Sequence, residues 1–157
     1  MQLDKKQSLI AILAGIDGAL ALLFLVGILG ITHPTTNNIW ILIPFIIIVA
    51  GLLEEGTKFL LIRKFRKWGD FPYYAILLGF GYAITEQYIR YAIFYIADFK
   101  FEVFLTLGFW LDPLVVVCMQ TYTAFLMALS IKNGYPIMGL ILAIMLHSFY
   151  DILVNIF

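Results

Sequence analysis

Residues 39–62 have the sequence IWILIPFIIIVAGLLEEGTKFLLI, an apolar run with two adjacent glutamates, Glu54 and Glu55, near its end. Its length suits a membrane-spanning helix, which needs about 20 predominantly apolar residues. A carboxylate in the hydrocarbon interior costs roughly 3 kcal/mol or more. The two glutamates, with Lys58 one turn later, therefore require either structural partners or a chemical role.

The composition of the chain indicates a polytopic membrane protein. Of its 157 residues, 63% are hydrophobic and 13% are charged, whereas a soluble domain has about 45–50% apolar and about 25% charged residues. The formal net charge of +0 gives no sign of a nucleic-acid partner, and we expect none. A single cysteine, Cys118, excludes an intramolecular disulfide.

Five apolar runs are long enough to cross a bilayer, and polar turns separate them. They lie at about residues 8–31, 39–62, 72–97, 103–130 and 136–156. Because the intervening loops are short, each span must run antiparallel to the next. The first run is too long for a signal-peptide core, so we expect it to be retained. We predict an all-α, polytopic membrane helical bundle in which residues 1–157 form a single membrane-embedded domain.

The positions of lysine and arginine predict the orientation, because cytoplasmic loops carry an excess of these residues. Seven of them would lie on the side of the N terminus, and only Lys100 on the other side. The seven are Lys5, Lys6, Arg63, Lys64, Arg66, Lys67 and Lys132. This distribution predicts a cytoplasmic N terminus and a multi-pass protein of the plasma membrane.

Glycines in the first and third spans predict close contact between helices. The residues concerned are Gly15, Gly18, Gly79 and Gly81. Small residues let the backbones of membrane helices approach each other. We expect these glycines to serve helix packing and not phosphate binding.

Four of the predicted spans carry polar groups at similar depths. A helix rises 1.5 Å per residue, so sequence position converts to depth below the cytoplasmic surface. The depths are ~12 Å for Glu54, ~15 Å for Gln120, ~16 Å for His147, and ~21–22 Å for Glu86 and Asp151. All five residues fall within a slab about 10 Å thick. Unrelated polar residues would scatter more widely, so we expect these to share one site.

Each of these groups also has a purely structural interpretation. Lys58 is shallower and could either extend to the membrane interface or neutralise one glutamate along its own helix. Glu86 could pair with Arg90, four residues later. Asp151 could simply hold His147 in one tautomer, or the two could bridge helices.

The residue types are nevertheless suited to activating water in a site that excludes bulk solvent. One glutamate could remain ionised as a general base while the other orients the water or shares a proton. His147 could donate to a developing oxyanion or relay the proton. The HExxH, GxSxG and GxGD motifs of other hydrolases are missing from the sequence. One intramembrane histidine makes a thin ligand set with Glu54 and Glu55, so we expect no metal and no other cofactor.

Three motifs resemble those of PrsW-type proteins, in the glutamate intramembrane protease superfamily that also contains the CAAX prenyl endopeptidases. Residues 54–58, EEGTK, resemble the EExxK motif. Residues 82–86, YAITE, resemble an aromatic-xxx-Glu element, and residues 147–151, HSFYD, resemble the final Hxxx(Asp/Asn) element. The motifs occur in the family's order on separate predicted helices, and the resemblance covers roughly residues 45–155.

The resemblance implies an intramembrane endopeptidase that cleaves membrane-associated peptides or proteins. Glu54, aided by Glu55, would activate a water that attacks a peptide carbonyl. His147, with Asp151 orienting it or donating beside it, would stabilise the oxyanion. Three further residues are expected to line the site or tune the glutamates: Glu86, Gln120 and Lys58. The expected partners are a transmembrane or lipidated peptide substrate and the lipid bilayer.

The chain departs from the family pattern in one motif, where residues 116–120, VVCMQ, stand in place of FxxxH. Gln120 cannot titrate near neutral pH, so one alternative is a non-catalytic relative that binds membrane helices. Another alternative is a proton- or cation-coupled transport component, because a relay also needs ionisable groups at several depths. Family members usually have more spans, so this chain could require self-association, as a homo-oligomer, to enclose its site.

Overall fold

The computed structural model describes residues 4–28, 38–97 and 107–156, and within these ranges it contains helices and no strand. The helices are α1 (Lys5–Ile28), α2 (Ile39–Ile46), α3 (Glu55–Phe65), α4 (Phe71–Ala97), α5 (Leu107–Lys132) and α6 (Pro136–Ile156). A π-helical stretch, Ile47–Glu54, joins α2 to α3 and is called the π segment below. The prediction of an all-α fold is confirmed.

Three of the described helices are long and apolar enough to cross a membrane. The stretches concerned are Lys5–Leu25, Pro113–Lys132 and Pro136–Val154. They correspond to the first, fourth and fifth of the runs predicted from the sequence. At most 33% of each is buried inside the protein, so most of their apolar surface is available to lipid. Their length and composition indicate a membrane protein.

The distribution of side chains supports the same conclusion, because large apolar groups face outward and ionisable groups face inward. Phe24 is 72% exposed and Ile137 is 70% exposed, whereas Glu55 and Lys58 are 0% exposed. Water favours the opposite arrangement, with apolar groups inside and charges outside. Within a membrane, ionisable side chains face the interior of the bundle.

Glycines set the distances between three of the helices. A Cβ atom on Gly15 of α1 would lie 2.1 Å from the Leu78 carbonyl oxygen, and one on Gly81 of α4 would lie 2.3 Å from that of Ile12. A Cβ atom on Gly79 would lie 2.6 Å from the carbonyl oxygen of Gln120 on α5. No side chain fits at these positions without moving a backbone, so the prediction of close helix packing is confirmed.

A core of apolar side chains lies toward the α3–α4 turn, residues 66–70. Its fully buried members come from five helices, and they include Ala11, Ile62, Leu78, Met127 and Ala143. Beside the turn, the rings of Phe65 and Trp68 stack at 4.5 Å between centroids. On α3 to α6, the polar residues of the candidate site come one or two helical turns away from these core positions. The core therefore separates those residues from the α3–α4 turn.

Candidate functional site

The structure brings all seven candidate residues into one connected network, which is called the polar cluster below. Its members are Glu54 of the π segment, Glu55 and Lys58 of α3, Glu86 of α4, Gln120 of α5, and His147 and Asp151 of α6. Each of them contacts at least one other member. Residues far apart in the chain meet in this way, such as Glu55 and His147, which are separated by 92 positions. The polar residues that the sequence places on different predicted spans therefore lie together in the structure.

Glu55 is the most enclosed carboxylate in the polar cluster. Lys58 Nζ donates a hydrogen bond to Glu55 Oε1, and His147 Nδ1 lies 2.6 Å from the same oxygen. The Thr123 hydroxyl, on α5, lies 3.4 Å from it. Glu55 is 0% exposed. Its contacts make Glu55 an anchor for the lysine and for the imidazole ring.

Lys58 points into the polar cluster and not toward the membrane interface. Its ammonium donates to Glu55 and to the side-chain oxygen of Gln120, and it lies 3.3 Å from the Thr123 hydroxyl. The ring of Tyr82 lies 5.2 Å from Nζ. The suggestion that Lys58 could extend to the interface is therefore wrong. A buried ammonium needs close partners to offset its lost hydration, and three oxygen acceptors supply them here.

Gln120 links two carboxylates to the lysine. Its Nε2 donates to Glu86 Oε2 at 2.6 Å and lies 3.4 Å from Glu54 Oε2, while its Oε1 accepts from Lys58. A glutamine amide offers two N–H donors and a carbonyl acceptor, whereas a neutral imidazole offers one donor and one acceptor. Gln120 thus makes a set of contacts that a neutral histidine could not make in full.

Glu54 differs from its neighbour because its side chain is 17% exposed. Its Oε2 lies 3.5 Å from His147 Nε2 and 3.4 Å from Gln120 Nε2. Glu54, Glu86 and Tyr82 line a cavity of about 90 Å³, whose other walls are apolar side chains of α1 and the π segment. A water molecule occupies about 30 Å³ in the liquid and needs polar partners in a cavity. The cavity has both the volume and the polar groups to place water beside Glu54.

The imidazole of His147 has carboxylates on both sides. Nδ1 lies 2.6 Å from Glu55, whereas Nε2 lies 3.5 Å from Glu54 and 3.6 Å from Asp151 Oδ2. The short contact is the one that fixes the orientation of a ring. Glu55 is therefore better placed than Asp151 for the orienting role that the sequence suggested for Asp151.

The π segment was not predicted from the sequence, although it carries Glu54. Wider π turns in helices occur frequently at functional sites. Two residues of the sequence could have indicated this departure from a regular α-helix. They are Pro44, which has no N–H to donate, and Gly51. A Cβ atom on Gly51 would lie 2.5 Å from Ser148 Oγ and 2.9 Å from Ile144 Cγ2. Glycine lets the π segment approach α6 closely, and this approach places Glu54 and Glu55 beside His147.

Two further polar residues at the site were not assigned a role from the sequence. Thr123 is 0% exposed and contacts both Lys58 and Glu55. Its position three residues after Gln120, on the same face of α5, could have indicated it. Tyr82 is 1% exposed, and its hydroxyl has no hydrogen-bond partner among the described residues.

Two further expectations from the sequence concern the pairing of Glu86 with Arg90 and the binding of a metal ion. The pairing of Glu86 with Arg90 lies outside the described part of the chain, because the Arg90 side chain is not described. Among the described residues, no group of three or more histidine, cysteine, aspartate and glutamate side chains is arranged to hold a metal ion.

Comparisons of the chain with protein-family models, with curated proteins and with solved structures find no match.

Proposed function

We propose that this protein is a PrsW-like intramembrane endopeptidase in which Glu54 activates the attacking water. The observation that carries the proposal is the difference between the two adjacent glutamates. Glu55 is fully buried and paired with Lys58, whereas Glu54 is partly exposed, lines the cavity and lies 3.5 Å from His147 Nε2. A general base must reach the water that it deprotonates, and Glu54 is the carboxylate of the pair that can do so.

In the proposed reaction, Glu54 takes a proton from a water in the cavity while the water oxygen attacks the peptide carbonyl carbon. The carbonyl oxygen becomes an oxyanion, and His147 Nε2–H donates a hydrogen bond to it. Glu54 then passes its proton to the leaving amine as the C–N bond breaks. Glu55 holds the ring through Nδ1, and Lys58 balances the charge of Glu55. Each proton and bond is thereby accounted for without a cofactor.

The supporting residues have separate roles in this proposal. Gln120 holds the carboxylates of Glu54 and Glu86 at a fixed separation. Asp151 lies on the Nε2 side of the imidazole and would stabilise its charged form. Gln120 therefore acts as a structural bridge between the two glutamates. A glutamine in place of the family's histidine does not require that the protein be inactive.

We further propose that the protein crosses the plasma membrane five times, with the N terminus in the cytoplasm. The first span would be α1. The second would be the continuous helix formed by α2, the π segment and α3, and the other three would be α4, α5 and α6. In this orientation the apolar core lies between the polar cluster and the cytoplasmic surface. Water would then reach Glu54 through the cavity between α1 and the π segment and not across the core.

The substrate would be a transmembrane or lipidated peptide that approaches from the bilayer. A second, apolar groove of about 480 Å³ is lined by Ile47 of the π segment and by residues of α6 that include Leu146 and Ser148, which flank His147 in the sequence. Ser148 lines this groove, and its hydroxyl is buried without a hydrogen-bond partner in the described part of the chain. A substrate backbone that has unwound locally exposes carbonyl groups, and one of these could accept a hydrogen bond from Ser148.

Cleavage profiling by mass spectrometry tests the proposal. Purified protein is reconstituted in liposomes with a pool of transmembrane and lipidated peptides, in parallel with Glu54→Gln, Gln120→His and the control Asp17→Asn. Asp17 is an exposed acid on α1 that lies outside the polar cluster. We expect products from the wild type and from Asp17→Asn, and none from Glu54→Gln.

The alternatives give different results in the same experiment. Products that appear only with Gln120→His would indicate a non-catalytic relative. A wild type that produces no cleavage but moves protons across the liposome membrane, with the flux lost in Glu54→Gln, would indicate transport. Either result would contradict the protease proposal.

A further inference from the structure

A groove at the opposite side of the core combines positive charge with an apolar wall, and it is called the basic groove below. Its volume is about 890 Å³. Four cationic side chains line it, namely Arg63, Arg66, Lys67 and Lys132. Its apolar lining comes from Phe59, Phe71, Ile131, Pro136 and Ile137. The basic groove lies between the α3–α4 turn and the α5–α6 turn, at the end of the protein where the basic residues concentrate.

The positive charge of the basic groove is not balanced by the protein. All four cationic side chains are exposed, and in the described ranges none of them has an ion pair. The only described aspartate or glutamate on the α3–α4 turn is Asp70. The Arg63 guanidinium carbon lies 5.8 Å from the centre of the Phe59 ring. The groove therefore presents cations that remain available to an anionic ligand.

Both turns that frame the basic groove are held in place by internal contacts. Trp68 N–H donates to the Phe65 carbonyl at 2.8 Å, and the Trp68 ring meets the Tyr74 ring edge-on at 5.0 Å. In the α5–α6 turn, Tyr135 N–H donates to the Ser130 carbonyl at 2.8 Å. Gly134 adopts a φ of 86°, which L side chains rarely adopt. A preformed site loses less entropy when a ligand binds.

We propose that the basic groove binds one anionic phospholipid of the adjacent leaflet. The phosphate would lie among the four cations, and the acyl chains would run along the apolar wall beside Ile137, which is 70% exposed. Basic pockets between membrane helices on the cytoplasmic side bind anionic lipid headgroups. A free phosphate ion would use the cations but leave the apolar wall without a partner, so the lipid is the better fit. This inference does not depend on the proposed protease activity.

Native mass spectrometry of the full-length protein in a neutral detergent tests the assignment. Phosphatidylglycerol, phosphatidylcholine of the same chain length and inorganic phosphate are added separately. We expect retention of phosphatidylglycerol at about tenfold lower concentration than phosphatidylcholine, since each lysine or arginine near an anionic headgroup adds to binding. Inorganic phosphate at equal concentration should not displace the lipid. Equal retention of both lipids, or displacement by phosphate, would overturn the proposal.

Two double variants with the same change of charge separate the basic groove from general electrostatic attraction. Arg66→Gln with Lys67→Gln removes two of its cations, whereas Lys5→Gln with Lys6→Gln removes two exposed cations at the start of α1. The first pair should weaken phosphatidylglycerol binding about tenfold or more, and the second should leave it unchanged. Equal weakening by both pairs would overturn the proposal. Intrinsic tryptophan fluorescence and the helical circular dichroism signal verify that each variant is folded.

Discussion

The apolar core and the polar cluster are built by the same helices, yet they depend on different forces. On α4, for example, Leu78 contributes to the core and Glu86 to the polar cluster, two turns further along. Within a membrane the hydrophobic effect does not drive helices together, and association depends on close packing and on hydrogen bonds between helices. The core supplies the packing. The polar cluster supplies hydrogen bonds but also buries charges that must compensate each other, so we expect it to be the more sensitive region.

The largest effect is expected from Lys58→Met, which removes the cation of the polar cluster. Glu55 would be left as a buried carboxylate without its ion-pair partner, and breaking a buried pair in this way costs about 3–5 kcal/mol. The measurement is unfolding of the purified protein in mixed micelles, followed by helical circular dichroism.

A matched double variant shows whether the loss arises from the unpaired charge. Adding Glu55→Gln to Lys58→Met replaces the pair by neutral groups, so most of the lost stability should return. If the double variant were less stable than Lys58→Met alone, the ion pair would not be the source of the effect.

The second effect separates the two glutamates by activity. Glu54→Gln removes the proposed base, so cleavage should slow by about 10²–10⁴-fold, the usual contribution of general acid–base catalysis. Because Glu54 is partly exposed and makes only long contacts, the stability of the Glu54→Gln variant should stay close to that of the wild type. Glu55→Gln should instead lower stability, since Lys58 then loses its carboxylate. Rates and unfolding are measured on the same preparations, and a reversed pattern would exchange the roles assigned to the two residues.

The third effect tests the packing side of the comparison. Gly15→Ala would place a Cβ atom 2.1 Å from a backbone oxygen of α4, so α1 must move away. Overpacking of this kind costs about 1–3 kcal/mol. The control is Gly56→Ala, because a Cβ atom on Gly56 meets nothing within 4 Å. Similar unfolding of the two variants would show that the α1–α4 contact does not limit stability.

The sequence predicted that polar residues of different helices would lie together, but not the direction in which each side chain points. Depth follows from the position in an apolar run and from the rise of the helix, so the meeting of Glu55, Gln120 and His147 could be predicted. Direction depends on the rotation of each helix about its axis, which packing determines. For this reason the sequence left open whether Lys58 points inward, and the contact of Thr123 with Glu55 was missed. The π segment changes that rotation within a single run.

The smallest effect is expected at Tyr82, which lines the same cavity as Glu54 and whose hydroxyl is buried without a partner among the described residues. An unsatisfied buried hydroxyl costs about 1–3 kcal/mol, so the hydroxyl has a stabilising role only if it binds a molecule in the cavity. We expect Tyr82→Phe to slow cleavage by about tenfold, because the hydroxyl would position the attacking water, and to leave stability unchanged or slightly raised.

Initial rates and unfolding of Tyr82→Phe are compared with those of Tyr73→Phe, since Tyr73 is exposed and outside the polar cluster. Unchanged turnover with raised stability would show that the hydroxyl contributes nothing to the reaction, and the proposed place of the water beside Glu54 would then lose one of its supports.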